Sequence, residues 1–248
     1  PWPTHLAYAL HILLTVITAV WLLKTPETRP PRGETVKDTF LDLSIRNMLH
    51  MLHIPSAAHR RFSRIVLPVA PWVFGCAGAA YALLPQLLSD SAGDAPIAFS
   101  GLMTVITLGC GVGIQMFGKV IDTHRSARAS AVAMAVITVG TIFGAIAART
   151  LSLPLGITSA AVMGAGYGLA LVAGLSEVQR IAGKDDLAGL TAVFYSVSYT
   201  GFFIPMAFSA LAPYIGFTAL FLIGSLLAAC CLINVIHGWR AHLPGPVR

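Results

Sequence analysis

Seven stretches of the chain run for about twenty residues without a single Asp, Glu, Lys or Arg: 5–23, 65–88, 97–117, 129–148, 154–175, 190–211 and 217–236. The hydrocarbon core of a bilayer is roughly 30 Å thick and takes about 20 helical residues to cross, so each stretch is long enough to span it. None alternates apolar and polar residues with period two, and in lipid every backbone amide has to be satisfied, which favours helices over barrel strands. The pattern predicts an all-α membrane protein with seven transmembrane helices. It divides the chain into a single transmembrane helix (1–23), a connection (24–64), a transmembrane bundle of six helices with short turns (65–237) and a tail (238–248).

Composition agrees with this division. Hydrophobic residues make up 56% of the 248 and charged residues 10%, with a mean hydropathy of +0.78, which excludes an ordinary soluble domain. The sixteen basic residues fall almost entirely on one side of the spans. Lys24, Arg29, Arg32, Lys37, Arg46, Arg60, Arg61 and Arg64 lie between the first and second windows, and Lys119, Arg125 and Arg128 follow the third. Arg180 and Lys184 follow the fifth, Arg240 and Arg248 lie in the tail, and only Arg149 is on the other side. The positive-inside rule then places the amino terminus outside, and the 24–64 loop and the carboxyl terminus in the cytoplasm, for a multi-pass protein of the plasma (cytoplasmic, inner) membrane. The net charge of +6 has the same origin and is not a nucleic-acid signal.

The chain opens "PWPTHLAYAL", with neither Met nor a basic leader, and its first span starts outside. The loop of about forty residues that follows carries charges of both signs and reads as a hinge between two membrane blocks. Within it, "KDTFLDLSIRNMLHMLH" at 37–53 puts Leu41, Ile45, Met48, Leu49 and Leu52 on one helical face, suited to the inner membrane surface or to packing beneath the bundle.

One span, a long cytoplasmic loop and six further spans resemble the last seven helices of a major facilitator superfamily transporter, a resemblance that covers the whole chain. It is supported by "GKVIDTHRSARAS" at 118–130, where Gly118 and Asp122 match the family's Gly-x-x-x-Asp spacing in the equivalent cytoplasmic turn. Thr123 stands where the family has a basic residue, and Arg125 and Arg128 are out of register. The resemblance implies one helix plus a six-helix half bundle, an N-terminal half of the same chain ahead of Pro1, and alternating-access transport of a small-molecule solute, with or without a coupling ion. It also implies that Gly118, Asp122 and Arg125 form a conformational latch, and that the second, third, fifth and sixth windows line the solute path. Independently of the family, Gly118 lets another helix approach, and Asp122 either faces the N-terminus of the helix near residue 190 or caps the one beginning near 129.

Candidate solute contacts come from those windows. Tyr195, Ser198, Tyr199 and Phe202 recur at i, i+3, i+4 and i+7, either as a solute-facing face or as an aromatic packing stripe, and Pro205 is expected to bend the helix just beyond them. Trp72, Gln115 and Tyr167 join them as candidates. "GIQMFGK" at 113–119 mimics a P-loop, but Val120 replaces the Mg²⁺-binding hydroxyl and the run lies within a span. The Gly-x-x-x-Gly pairs 109/113, 140/144 and 164/168 read as close helix contacts. Glu177 and Arg180 read as an exposed pair at the cytoplasmic rim.

The spans contain no carboxylate, so a proton-coupling residue is expected elsewhere. Cys76, Cys110, Cys230 and Cys231 have no CxxC spacing and the histidines form no cluster, so no metal, cofactor or enzymatic site is expected. Other seven-helix classes fit less well. The last window has no Lys for retinal, and "GKVIDTHR" and "LINVIHGW" lack the heptahelical-receptor signatures. A seven-helix membrane receptor, or a non-transporting membrane scaffold or channel subunit, remains as the alternative.

Overall fold

The computed structural model describes residues 2–26, 55–123, 125–183 and 186–241. The amphipathic stretch at 37–53 and most of the central loop lie outside the described residues. Two compact units are present, Pro1–Met51 and Leu52–Arg248.

In the first unit, α1 (Trp2–Lys24) follows the first apolar window. Two of its hydroxyls are satisfied within the helix: Thr15 and Thr18 donate to the carbonyls of His11 and Leu14. Lys24 in the last turn complements the helix dipole.

The described residues of the second unit form helices and short turns, with an isolated Thr123–Ser126 bridge in one turn. It comprises α2 (Phe62–Leu87), α3 (Pro96–Ile121), α4 (Arg128–Thr150), α5 (Leu153–Ile181), α6 (Leu187–Tyr199) and α7 (Phe203–Gly238), with a 3₁₀ turn at Thr200–Phe202 between the last two. Among the described residues, five helical stretches are long and apolar enough to cross a membrane, the last being Leu187–Gly238. Such a set is compatible with a multi-pass integral membrane protein.

The last two windows fall on one apolar run of 52 residues. A straight helix of that length would measure about 78 Å, more than twice a bilayer core. It does not stay straight: Gly216 takes φ 77° and ψ 152°, three residues after Pro213. Phe208 meets Phe221 edge-on with ring centroids 5.7 Å apart, a contact that requires the run to fold back on itself at Gly216. A side chain would strain that positive φ, which glycine adopts freely.

Prolines shape α2 in another way. π-Helical turns at Phe62–Val66 and Ala79–Leu83 each end two residues before a proline, Pro68 and Pro85, where an amide donor is missing and a wider turn relieves the ring's clash. In α6–α7 the interruption comes at Thr200–Phe202, just ahead of Pro205. Pro205 has no N–H for the carbonyl of Gly201, and the backbone tightens to 3₁₀ there.

α5 packs against α2, α3, α4 and α6. Around it, Val69, Val73, Met134, Ile137, Met163, Phe194 and Phe221 form much of the buried core. The approach of α3 to α5 is set by Gly164 and Gly168, where an added Cβ would collide with the carbonyl oxygens of Thr107 and Gly111. Gly140 and Gly144 likewise admit Met163 and Phe221. The 109/113 pair behaves differently from expectation. Gly109 and Gly113 face open space, and the middle glycine, Gly111, is the one packed against Tyr167.

Candidate functional site

Two clusters emerge from this packing, one of charges and one of aromatic rings. The charged cluster begins at Arg61, just ahead of α2, whose side chain is completely buried. Its Nε donates to Glu177 Oε2 at 2.5 Å and its Nη2 to Glu177 Oε1 at 2.9 Å, a two-point fork that fixes both planes. Its Nη1 donates to the carbonyls of Ala241, at 3.0 Å, and Trp239, at 3.4 Å, beyond the end of α7. Arg180, one turn after Glu177 on α5, donates to Glu177 Oε1 at 2.7 Å and to Asp122 Oδ2 at 2.5 Å. Two guanidinium groups and two carboxylates thus link the ends of α2, α3 and α5 and the segment after α7 into a neutral network.

The geometry revises three expectations. Glu177 and Arg180 are not an exposed rim pair, because Glu177 is buried and its second cation is Arg61. Asp122 does not cap α4. It closes the C-terminus of α3 and pairs with Arg180, while the residue flanking α4 is Ala127, with no side-chain cap. Gly118 does admit a neighbour, and that neighbour is α5: a Cβ would stand 2.8 Å from Val172 Cγ1. Arg125 is exposed and stands outside the ion-pair network.

A second tie lies near this network. The Ser56 N–H donates to Asp186 Oδ2 at 3.1 Å, joining the segment before α2 to the start of α6. The Ser56 hydroxyl, with backbone N–H groups, holds the Asp186 carboxyl below the usual carboxylate range.

The aromatic cluster forms where α2 meets the 3₁₀ turn. Gly201 lies directly on the Pro71 carbonyl, and Gly75 and Gly78 receive Ile204 and the Pro205 ring. This close crossing stacks Phe74 on Tyr199, with centroids 5.0 Å apart and planes 5° apart, and on Phe202 at 4.9 Å and 12°. Tyr195 extends the cluster along α6, at 6.3 Å from Tyr199, and Tyr167 of α5 reaches Phe74 at 6.5 Å. Tyr199 is 54% exposed and Phe202 44%, so one side of the cluster is open.

Tyr167, Tyr195 and Tyr199 therefore come together, and other candidates do not. Ser198 is buried with its hydroxyl donating to the Phe194 carbonyl at 2.8 Å, since consecutive residues stand about 100° apart around a helix and the face beside Tyr199 turns inward. Trp72 lines an apolar cavity of about 90 Å³ with Cys76, Met163, Phe208 and Phe221. Gln115 is half-buried on α3 and belongs to neither cluster. Phe74 and Arg61 were missed. Arg61 had one signal: a carboxylate as close to a span as Glu177 needs a cation, and the basic run "HRRFSR" supplies several. Among the described residues no group of three or more His, Cys, Asp or Glu could hold a metal ion.

In comparisons with known proteins the chain matches no family model, no curated protein and no solved structure.

Proposed function

We propose that this chain is the carboxyl-terminal part of a secondary solute transporter of the major facilitator type, with seven spans and both the central loop and the carboxyl terminus in the cytoplasm of the plasma membrane. Its six-helix unit rocks against an N-terminal half to give alternating access, and carries a small molecule as a permease or efflux protein. The observation that supports this most strongly is the charge network. It joins α2, α3, α5 and the segment after α7 at one end of the unit, as a latch holding one of two conformations would. Gly118 and Asp122 are its α3 contribution, and Arg61, Glu177 and Arg180 complete it. The open, ring-lined surface around Tyr195, Tyr199, Phe74 and Tyr167 is the solute-facing wall in this reading. With no carboxylate beside it, the wall suits a neutral or largely apolar solute.

Reconstitution of the intact transporter in proteoliposomes tests both parts. Uptake of at least one neutral solute should exceed that of empty liposomes, and a panel in which none does overturns the transport reading. Asp122→Asn should alter transport and shift the ratio of thiol labelling at reporter cysteines placed at the two ends of the bundle. Unchanged transport and unchanged access from both sides would remove the latch.

A further inference from the structure

At the end of the second unit where α3 hands over to α4, a groove of about 530 Å³ is lined by Thr123, Arg125, Ser126, Arg128, Trp239 and Arg240. We propose that it binds the phosphate of an anionic phospholipid headgroup. This inference rests on membrane embedding and not on the transport reading.

The bias of basic residues to one side of the spans accounts for the presence of these arginines but not for their convergence. Arg125 and Arg128 come from the α3–α4 turn, and Arg240 from the segment after α7. The Ala127 N–H holds the two segments together by donating to the Trp239 carbonyl at 2.9 Å. Arg128 is positioned as well as charged, since its Nε and Nη2 donate to the carbonyls of Ile121 and Val120 at the end of α3, at 2.8 and 3.2 Å. The Arg240 guanidinium lies over the Trp239 ring, 5.5 Å from its centroid. Among the described residues, the ion pairs use Arg61 and Arg180, and none of the groove's three guanidinium groups is paired with a carboxylate.

Position then selects the anion. α3 ends at Ile121, α4 begins at Arg128 and α7 ends at Gly238, so the groove lies where three apolar helices end, at headgroup depth. Guanidinium forks match phosphate oxygens, an indole belongs at that interface, and basic pockets between transmembrane helices favour anionic headgroups.

The test uses the full chain, purified in neutral detergent and exposed to mixed micelles of phosphatidylglycerol and phosphatidylcholine in equal amounts, with retained lipid read by native mass spectrometry. Phosphatidylglycerol should be retained in preference. Arg125→Gln with Arg240→Gln, which leaves Arg128 and its backbone bonds in place, should cut that preference by ~30-fold, on the order of the effect of two basic residues at a membrane surface. If the double variant does not fold, Arg125→Gln alone should reduce it about fivefold. Equal retention of the two lipids, or a variant that keeps the preference, would overturn the proposal. Release of the phosphatidylglycerol by millimolar inorganic phosphate would also overturn it, by making soluble phosphate the occupant.

Discussion

A guanidinium group with no exposed surface, as at Arg61, is tolerable only with its charge and its donors satisfied, and Glu177 does most of this with a two-point contact. Removing the carboxylate leaves Arg61 charged and buried beside Arg180. Glu177→Gln is therefore expected to cost about 3–5 kcal/mol, the range for breaking a buried pair. The exposed Arg125→Gln should stay within about 0.5 kcal/mol. Loss of folded protein on heating in detergent distinguishes them. Arg61→Met with Glu177→Leu should recover much of the loss, because an apolar pair needs no counter-charge. A Glu177→Gln variant as stable as Arg125→Gln would mean that the network does not hold the helix ends. At this scale the sequence was informative about residue type and poor about partners. Asp122 stood out by its spacing from Gly118, but its partner, Arg180, lies on another helix.

At the scale of elements, the same small-residue spacing has opposite meanings on two faces of α3 and α5. Gly168 lies against the Gly111 carbonyl, whereas Gly113 faces open space. Gly168→Val should force α3 away from α5 and cost about 1–3 kcal/mol, the usual penalty for overfilling a packed contact. Gly113→Ala should be neutral or stabilising by up to about 1 kcal/mol in this unit, from helix propensity. Heating the two variants side by side checks this, and equal stabilities would mean that the α3–α5 crossing is looser than described. Spacing alone could not separate the two glycines, because each lies within an apolar helix in a pair of the same interval and they differ only in what faces them. Element length was the more legible property. The windows at 97–117, 129–148 and 154–175 fall inside α3, α4 and α5, while those at 190–211 and 217–236 lie on either side of the reversal at Gly216.

For the molecule as a whole, the helices predict which loops share a side of the membrane. α3 runs from Pro96 to Ile121, 26 residues or about 39 Å, enough for one crossing. Cysteines introduced at Asp94 and Arg125, in a chain whose Cys76, Cys110, Cys230 and Cys231 are replaced by alanine, should be labelled by an impermeant maleimide from opposite sides. The Arg125 site is expected to face the cytoplasm. Labelling of both from one side would overturn the single crossing by α3.

Helical class and the position of most helices long and apolar enough to cross a membrane were determined by the sequence itself, because apolar length and charge are summed along the chain and need no knowledge of neighbours. Tertiary structure alone decided that Glu177 is buried, that Asp122 meets Arg180, that Ser198 turns inward while Tyr199 joins Phe74, and that Arg240 comes beside Arg125. Each of these depends on how far a helix is rotated and which helix lies next to it. Those quantities are set by the close approach of particular glycines and by the breaks near Pro205 and at Gly216, and they leave no periodic trace in the residues they bring together.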